Sequence, residues 1–380
     1  MSVTSTAASQ CDSGAAGAFT DLLVTGGAGF IGSNFVHRTL AHRPEVRILM
    51  VDAMTYAANP ANLTTPDGVP LVQAFPDRFS FLQVDIADAH AVATLVSDWV
   101  AGLPSTNSHA AIVHFAAESH NDNSLLRPGI FARTNVEGTV NLCEAAVRHG
   151  IHVHHISTDE VFGDLALEDP ARFTVDTPYA PSSPYSASKA SADHFVRAFV
   201  RSRGLSATIS NCSNNYGPRQ HPEKFIPRQI TGLIDGEKPR LYGTGANVRD
   251  WIHVDDHNDA VWAILDAVAA SDPASDAIEN GQTFLIGADG ERSNIEVVRD
   301  LLEVFGRSAD DFVHVTDRPG HDRRYAIDPS SIQAIGWQPK YTDFREGLAA
   351  TVDWYQANEQ WWREARVASE KKYRQTEKEI

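Results

Sequence analysis

Two short groups of side chains in this sequence have the residue types and spacing needed for proton transfer. Tyr185 and Lys189 stand four residues apart in a segment with helical periodicity, so the spacing predicts that they share one helix face. A lysine ammonium beside a phenol favours phenolate and lowers the pKa of the phenol. Such a tyrosine can take a hydroxyl proton while hydride leaves the same carbon. On its own, this pair is a weak signal and is usually a surface pair.

The second group is Thr158-Asp159-Glu160, which follows a buried apolar run. In open α/β sheets, ligands bind at the carboxyl ends of strands, where this group would lie. Thr158 can hydrogen-bond a substrate oxygen. Removal of water across two carbons needs adjacent carboxyls, because one takes a carbon-bound proton and the other protonates the departing hydroxyl. From the residues alone, an acidic turn that caps the next segment explains them equally well.

A glycine-rich loop, TGGAGFIG (25–32), follows one predicted strand and opens a predicted helix. Its glycines permit a tight turn and close approach of a pyrophosphate to the helix N-terminus. Asp52 stands 20 residues beyond Gly32, where a carboxylate accepts hydrogen bonds from ribose hydroxyls and repels a 2′-phosphate. The combination predicts an NAD site rather than an NADP site. Asp85 and Ile86 end the third predicted strand and can reach the adenine, although an ordinary strand-end Asp is equally compatible.

Short apolar runs alternate with amphipathic stretches through the first half of the chain. The predicted strands are 21–25, 46–52, 78–85, 110–116, 153–158 and 206–211, and the predicted helices are 31–41, 89–101, 131–149 and 184–203. Strands buried on both faces that alternate with helices indicate a parallel sheet with right-handed crossovers. We therefore predict an α/β fold, a Rossmann-like doubly wound parallel sheet with a smaller mixed α/β C-terminal substrate domain.

The pattern changes after residue 211. The stretch 213–250 is rich in Asn, Gly, Pro and Arg, with a short strand at 239–243, and a helix at 255–268, a strand at 282–286 and a helix at 294–305 follow. We expect four parts: a disordered N-terminal tail at 1–20, an NAD-binding Rossmann domain at 21–211, a substrate-binding region at 212–355 with some strands returning to the main sheet, and a charged, solvated C-terminal helix at 356–380.

Composition excludes several classes of function. The chain has 380 residues and a formal net charge of −17, so nucleic acid and anionic membranes repel it. Its 3 cysteines are far apart, which argues against a disulfide framework or a CxxC metal site, and no apolar run approaches the roughly 18 residues of a membrane span. We expect a soluble cytoplasmic protein.

Other charged and metal-ligating residues are less informative. Several histidines, among them His114, His152 and His154, suggest a metal site, but core or surface histidines explain them better and we expect no metal. Basic side chains in loop-rich stretches could bind a diphosphate; they are Lys224, Arg249, Arg323 and Arg324.

Taken together, these motifs resemble the extended short-chain dehydrogenase/reductases, and within them the dTDP-glucose 4,6-dehydratases, over about residues 21–361. The stretches that carry the resemblance are TGGAGFIGSNF (25–35), DAMTYAANPANL (52–63), HFAAESH (114–120), HISTDEVFGDL (155–165), YAPSSPYSASKASADH (179–194), NCSNNYGPRQHPEKFIP (211–227), RDWIHVDDH (249–257) and DRPGHDRRYAID (317–328). The residue at position 159 separates this group from related enzymes whose sequences resemble Thr-Ser-Glu at this point, because this chain has an aspartate there.

The resemblance implies a mechanism. Tyr185, supported by Lys189, would be the base for oxidation at C4 of the sugar, with Thr158 on the C4 oxygen. Glu160 would remove the C5 proton and Asp159 would protonate the departing C6 hydroxyl. Hydride passes to NAD and returns to C6, so the product is the 4-keto-6-deoxy sugar nucleotide and Glu160 reprotonates C5.

The resemblance also implies binding residues and an assembly. The residues implied for NAD are Gly26, Gly29, Phe30, Ile31, Gly32, Asp52, Ala53, Met54, Thr55, Asp85, Ile86, Phe115, Ala116, Ala117, Thr134, Tyr185, Lys189 and Asn215. Those implied for the nucleotide sugar are Ser119, His120, Thr158, Asn214, Lys224, Phe225, Arg240, Leu241, Tyr242, Arg249, Asn294, Arg318, His321 and Tyr325. A homodimer through helices near 131–149 and 184–203 is implied as well.

The sequence departs from the family at several positions. Asn121-Asp122-Asn123-Ser124 stands where the family usually reads close to Val-Asp-Arg-Ser, so an arginine near the site is replaced, and Phe162 stands where tyrosine is common. Two alternatives stay open: a 4,6-dehydratase for another nucleotide sugar such as UDP-glucose, and a catalytically idle nucleotide-sugar-binding protein. The intact Thr158, Asp159, Glu160, Tyr185 and Lys189 argue against the idle protein.

Overall fold

The computed structural model describes residues 18–104, 109–271, 278–317 and 322–373. Its strands are β1 (Asp21–Thr25), β2 (Arg47–Asp52), β3 (Phe79–Gln83), β4 (Ala110–His114), β5 (His152–Thr158), β6 (Ala207–Cys212), β7 (Asn214–Tyr216), β8 (Arg240–Tyr242), β9 (Val248–His253), β10 (Thr283–Ile286), β11 (Glu291–Ser293) and β12 (Val313–Val315).

The helices are α1 (Phe30–His42), α2 (Leu71–Ala74), α3 (Ala89–Ala101), α4 (Asn121–Leu126), α5 (Pro128–Phe131), α6 (Gly138–His149), α7 (Pro184–Arg203), α8 (Phe225–Ile234), α9 (Val254–Ala270), α10 (Asn294–Val304), α11 (Ser330–Gln333), α12 (Phe344–Ala357) and α13 (Glu359–Tyr373). Short 3₁₀ helices lie at Pro60–Leu63 and Asp159–Phe162, and a π-helical turn at Ala132–Glu137 joins α5 to α6.

The central sheet confirms the predicted doubly wound fold. It has seven strands in the order β3-β2-β1-β4-β5-β6-β10, and every neighbouring pair is parallel. The chain winds outward in one direction from β1 to β3 and in the other from β4 onward. The order therefore reverses between β1 and β4, and such a reversal opens a crevice at the carboxyl ends of the strands.

Helices cover both faces of the sheet. One apolar cluster joins the sheet to α1 and α9, and a second joins the other face to α3, α6 and α7. The histidines of β5 are part of this buried layer: His154 contacts Thr208 and Ser210, and burial lowers its pKa well below the ordinary value. These imidazoles are neutral core groups.

Helix α7 owes its position to strong local signals. Ser183 and Ser186 form a reciprocal capping box, Pro184 occupies the first turn, and Gly204 ends the helix with a φ of 68°. The predicted bounds, 184–203, match the helix. Because α7 packs on β5 and β6, its first turns reach the carboxyl ends of those strands.

The C-terminal half builds a second core above the sheet edge. Strands β11, β9 and β7 form one small sheet and β12 pairs with β8, while α8, α10, α12 and α13 share an apolar cluster. Strand β10 follows residue 212 in sequence yet lies in the main sheet beside β6.

Three predicted elements differ from the structure. The helix predicted at 131–149 is divided into the end of α5, the π-helical turn at Ala132–Glu137 and α6. The stretch 213–250, predicted as loops and short strands, contains the helix α8. The predicted C-terminal helix exists as α13, but it is not simply solvated: Trp362 is fully buried, and Arg366 is 8% exposed. The mixed run of charged residues hides the apolar face of this helix, because long charged side chains can bury their stems while their ends stay in water.

Three further findings concern the described residues only. No helix among them is both long and apolar enough to cross a membrane. No group of three or more His, Cys, Asp or Glu side chains in these ranges could hold a metal ion. The expected tail at 1–20 falls mostly outside the described residues, as do Arg318, His321 and the last residues of the expected C-terminal helix.

Candidate active site

The cleft that contains the sequence motifs lies where the sheet topology places it, at the carboxyl ends of β1, β2, β4, β5 and β6. Its volume is about 510 Å³, and it runs from the glycine-rich loop at one end to Thr158, Asp159 and Glu160 at the other. All five predicted catalytic residues line it, including Tyr185 and Lys189. The structure therefore brings the two sequence motifs and the glycine loop into one cavity.

The glycine loop has room for a ligand on one side only. Gly26 has a φ of +72°, and a Cβ there would lie 2.6 Å from the backbone nitrogen of Ala116. A Cβ on Gly32 would lie 2.4 Å from the Gly26 carbonyl oxygen. A Cβ on Gly29, at the N-cap of α1, would lie 3.4 Å from that same oxygen, which is an ordinary van der Waals contact. The side of the loop next to the helix N-terminus is thus open to a pyrophosphate.

Asp52 is fixed at the end of β2. Its carboxylate accepts hydrogen bonds from the backbone N–H of Ala28 at 2.9 Å and of Met54 at 2.8 Å. Burial raises its pKa, and these two hydrogen bonds oppose the rise. Asp85, on the next strand end, is held by Arg133 at 2.9 Å. Both carboxylates face the cleft, as hydrogen-bond acceptors for a dinucleotide's hydroxyl and amino groups would.

The predicted cofactor residues line this cleft with one exception. Met54 does not line it; its backbone N–H instead orients Asp52. Gly26, Gly29, Phe30, Ile31, Gly32, Asp52, Ala53, Thr55, Asp85, Ile86, Phe115, Ala116, Ala117, Thr134, Tyr185, Lys189 and Asn215 are all lining residues.

Thr158 is the centre of the polar contacts at the other end of the cleft. Its hydroxyl interacts with the Asp159 carboxyl at 3.3 Å and accepts a hydrogen bond from the Glu160 backbone N–H at 3.3 Å. Its side chain also interacts with the Tyr185 phenol and opposes the rise in the pKa of that phenol. The Lys189 ammonium donates to the Ile156 carbonyl at 2.7 Å, one turn of helix behind the phenol.

The two adjacent carboxyls have different surroundings. Asp159 is 1% exposed, and its Oδ2 has no hydrogen-bond partner among the described residues. Burial, together with the charges of Glu160 and Asp250, raises its pKa well above the ordinary value. Burial also raises the pKa of Glu160, but a hydrogen bond from Asn121 and nearby cations oppose that rise. Asp159 is thus the better proton donor and Glu160 the better base.

The phenol differs from the sequence expectation. We expected Lys189 to lower the pKa of Tyr185, but burial and the charges of Glu160 and Asp159 raise it well above its ordinary value. Burial lowers the pKa of Lys189, and the Asp193 carboxylate opposes that change. In this structure the tyrosine is therefore a neutral phenol, and phenolate needs a further positive charge beside it.

The predicted substrate residues that lie within the described ranges divide into two sets. Ser119, Thr158, Asn214 and Lys224 line the cleft, and the Lys224 ammonium donates to the Ser119 carbonyl at 3.0 Å. The others lie outside its lining: His120, Phe225, Arg240, Leu241, Tyr242, Arg249, Asn294 and Tyr325. Leu241 is fully buried in the second core. The Arg249 guanidinium lies 4.3 Å from the centre of the Tyr325 ring, and its positive charge acts to lower the pKa values of Asp159 and Glu160.

Two arginines considered for a diphosphate are already engaged. Arg324 is buried, with its guanidinium on the Glu291 carboxylate at 2.8 Å and on two backbone carbonyls. Arg323 pairs with Asp164 at 3.1 Å. The expectation that these two bind a ligand is therefore not supported, because both charges are neutralised within the protein.

Sequence reasoning missed several lining residues. Glu118, Cys212, Ser213, Gln220, His221 and Glu223 face the cleft. Most stand in the stretch NCSNNYGPRQHPEKFIP, from which only Asn214, Asn215, Lys224 and Phe225 were singled out. The high proportion of polar residues in this stretch was the signal that could have identified the other lining residues.

Comparisons with known proteins agree with this geometry. The family model described as "GDP-mannose 4,6 dehydratase" matches residues 23–351. The dTDP-glucose 4,6-dehydratase of Mycobacterium tuberculosis (strain H37Rv) is 54% identical over 93% of this chain and 98% of its own length. That of Streptomyces griseus is 44% identical over 90% of this chain and 96% of its own length.

Solved structures extend the comparison. The dTDP-glucose 4,6-dehydratase of Streptomyces venezuelae, determined with NAD and TYD bound, has a TM-score of 0.78 and 41% identity, and the match covers 91% of this chain and all (100%) of that one. The enzyme of Bacillus anthracis, determined with NAD, has a TM-score of 0.76 and 39% identity over 91% and 99% of the two chains. The chain belongs to the nucleotide-sugar 4,6-dehydratase family, together with the dTDP-glucose 4,6-dehydratases.

Proposed function

We propose that this protein converts dTDP-glucose into dTDP-4-keto-6-deoxyglucose, with NAD as a regenerated cofactor. The observation that carries the proposal is the pairing of Asp159 and Glu160 in one cleft with Tyr185 and Lys189. Oxidation at C4 needs only a base and a hydride acceptor, as an epimerase also does. The added acid and base are what elimination of water requires.

The described residues fit NAD at the glycine-rich end of the cleft. Gly29 leaves space at the N-terminus of α1, and Asp52 offers a fixed carboxylate to ribose hydroxyls. When bound, NAD supplies the acceptor for the C4 hydride and the source of the hydride that reduces C6. Its positive charge would also favour the Tyr185 phenolate, which the buried phenol otherwise resists.

In the first stage, Tyr185 takes the C4 hydroxyl proton while Thr158 holds the C4 oxygen. Both side chains line the cleft and interact with each other, so both can contact one substrate oxygen. Lys189 stabilises the phenolate as a nearby cation. The product of this stage is a 4-keto sugar, whose carbonyl makes the neighbouring C5 proton acidic.

In the second stage, Glu160 takes the C5 proton and Asp159 gives a proton to the C6 hydroxyl, which leaves as water. The raised pKa of Asp159 favours its protonated form, as this role requires. A C5=C6 double bond forms. In the last stage C6 is reduced and Glu160 returns its proton to C5. The cycle closes when Tyr185 releases the proton that it took from the C4 hydroxyl and Asp159 regains one, so the two proton transfers balance.

The two parts of the chain would divide the binding. Residues 21–211 would hold NAD, and 212–355 would hold the nucleotide sugar, with β10 returning to the main sheet. Lys224, at the lip of the cleft, and Arg249, behind the two carboxyls, are the cations best placed to attract an anionic substrate.

We also propose that the protein is a cytoplasmic homodimer assembled through α6 and α7. Phe195 on α7 is 43% exposed, and Leu125 and Leu126 on the adjoining α4 are 65% and 75% exposed, which supplies apolar surface for an interface. Free thiols at Cys143 and Cys212 suit a reducing compartment. Light scattering at micromolar concentration tests the dimer, and a mass near 41.5 kDa would contradict it.

The decisive experiment uses dTDP-glucose labelled with deuterium at C4 and no added cofactor. We expect a product that is lighter than the substrate by one water and carries the deuterium at C6. Mass spectrometry measures the loss of water, and NMR locates the deuterium. The internal transfer would support both the reaction and a tightly held NAD.

Two other outcomes would contradict parts of the proposal. Turnover of UDP-glucose but not dTDP-glucose would keep the mechanism and overturn the nucleotide. Tight binding of dTDP-glucose without turnover of either sugar would identify a nucleotide-sugar-binding protein rather than an enzyme.

A further inference from the structure

Asn121 occupies a position between the two halves of the catalytic machinery. It is the first residue of α4, and its side-chain amide donates to the Glu160 carboxylate at 2.9 Å. Its amide oxygen accepts a hydrogen bond from the Ser183 hydroxyl at 3.0 Å. Ser183 caps α7, whose first turn carries Tyr185. One side chain therefore bridges the C5 base and the helix of the C4 base.

The orientation of this amide follows from its partners. If the amide were reversed, its oxygen would face the Glu160 carboxylate, and two acceptors would meet without a proton between them. The Ser183 hydroxyl in turn gives its one proton to the Asn121 oxygen and accepts the backbone N–H of Ser186. The capping serine thus fixes which end of the amide points at Glu160.

We propose that Asn121 is a positioning residue that holds the Glu160 carboxylate ready for C5 deprotonation and couples it to the start of α7. The proposal rests on the proposed function. The position is a departure of this chain, because the resemblance predicts valine there, and valine has no donor for a carboxylate.

The charged groups around Glu160 set the background for this effect. Those that act on it from the surrounding elements are Asp159, Tyr185, Lys224, Arg249, Asp322 and Tyr325. Burial is the largest cause and raises the pKa of Glu160, and the Asn121 hydrogen bond is the largest cause that lowers it. Removing the donor therefore raises the pKa, so the fraction of ionised Glu160 falls at any mildly acidic pH.

The first test compares wild type with Asn121→Val across pH. We expect the acid limb of kcat to move up by about one pH unit, equivalent to a tenfold loss on that limb. C4 oxidation is left intact, so absorbance of reduced nicotinamide builds up during turnover. An unmoved acid limb, or slowing without that build-up, would overturn the proposal.

Asn123→Val is the matched control, because it makes the same change two residues along α4, where Asn123 acts on Tyr56 whereas Asn121 is the donor to Glu160. We expect its acid limb to stay at the wild-type pH. If both valine variants move the limb equally, the effect belongs to the helix and the proposal fails. Asn121→Asp provides a second probe, since it keeps the Ser183 contact but sets a carboxylate against Glu160, and it should move the limb further.

A measurement without substrate separates this inference from the proposed function. Difference infrared spectroscopy follows the protonated carboxyl band of Glu160, assigned by its loss in Glu160→Gln. A higher titration midpoint in Asn121→Val supports the inference even if wild type fails to convert dTDP-glucose, in which case the proposed function alone is overturned. An unchanged midpoint overturns the inference whatever the activity.

Discussion

Two neighbouring carboxyls reach different protonation states because their partners differ. Asp159 is enclosed, and among the described residues no donor reaches one of its oxygens, whereas Glu160 has the Asn121 amide on one of its own. Desolvation favours the neutral acid in both, and the donor favours the anion only in Glu160. The sequence supplies an adjacent pair, but the assignment of acid and base comes from contacts made by residues far away in the chain.

Asp159→Asn should stop elimination while leaving C4 oxidation intact. The amide keeps the shape of the side chain but cannot donate a proton to the leaving hydroxyl. We expect kcat to fall by about 10²–10⁴, with reduced nicotinamide accumulating on the enzyme. Stopped-flow absorbance and product analysis measure both effects. The exposed Asp169→Asn is the control, and kcat near wild type in Asp159→Asn would remove Asp159 from the mechanism.

The same substitution should change how the stability of the protein depends on pH. The pKa of Asp159 is raised in the folded state, so its contribution to stability is complete below the unfolded pKa and is lost as pH rises through the folded value. Asparagine cannot ionise. The unfolding free energy of Asp159→Asn minus that of wild type should therefore increase as pH rises. Urea titrations of both proteins at pH 5 and pH 9 measure this difference.

At the scale of elements, local signals explain what the sequence could predict. Hydrophobic runs and caps placed α7 and most sheet strands to within a few residues, because those signals lie inside each segment. Helix α8 was missed because Pro227 and Gly232 suggest a loop, even though its apolar residues recur with a helical period. Proline is tolerated there since it lies in the first turn.

The same distinction between local and long-range signals applies to the residues of the candidate site. Groups at strand ends, such as Asp52 and Thr158, could be predicted because parallel topology places strand ends together. The burial of Leu241 and the pairing of Arg324 with Glu291 could not, because they depend on how the C-terminal segments fold over the sheet. Nor could the pKa of Tyr185 be predicted, since burial outweighs the lysine that the sequence places beside it.

The glycine loop offers a pair of substitutions that separate folding from binding. Gly29→Ala adds a Cβ into the open side of the loop with a backbone φ of −81°, so we expect wild-type stability and an NAD Kd raised about tenfold or more. Gly26→Ala adds a Cβ at positive φ against the Ala116 backbone and should destabilise the fold by about 2–5 kcal/mol.

Thermal unfolding and calorimetric titration with NAD measure the two effects separately. The interpretation fails if Gly29→Ala unfolds at a much lower temperature, or if it binds NAD as tightly as wild type does.

At the scale of the whole molecule, the C-terminal helix links the second core to the cleft. Arg228 on α8 pairs with Glu370 on α13 at 2.7 Å and lies 3.7 Å from the Tyr373 ring, and Trp362 is fully buried against the same apolar cluster. Helix α8 begins directly after Lys224, which lines the cleft. A helix near the end of the sequence therefore supports the lip of the site.

Trp362→Ala should weaken nucleotide-sugar binding more than cofactor binding. Loss of a buried indole, whose Nε1 donates to the Tyr355 carbonyl at 2.8 Å, should cost about 3–5 kcal/mol of unfolding free energy. Because the second core loosens while the Rossmann core does not, we expect the Kd for dTDP to rise and the Kd for NAD to stay within about twofold. Val367→Ala, on the same helix but 70% exposed, should change unfolding free energy by less than about 0.5 kcal/mol. Calorimetric titrations with dTDP and with NAD decide the matter, since equal weakening of both ligands would mean that the two cores unfold as one unit.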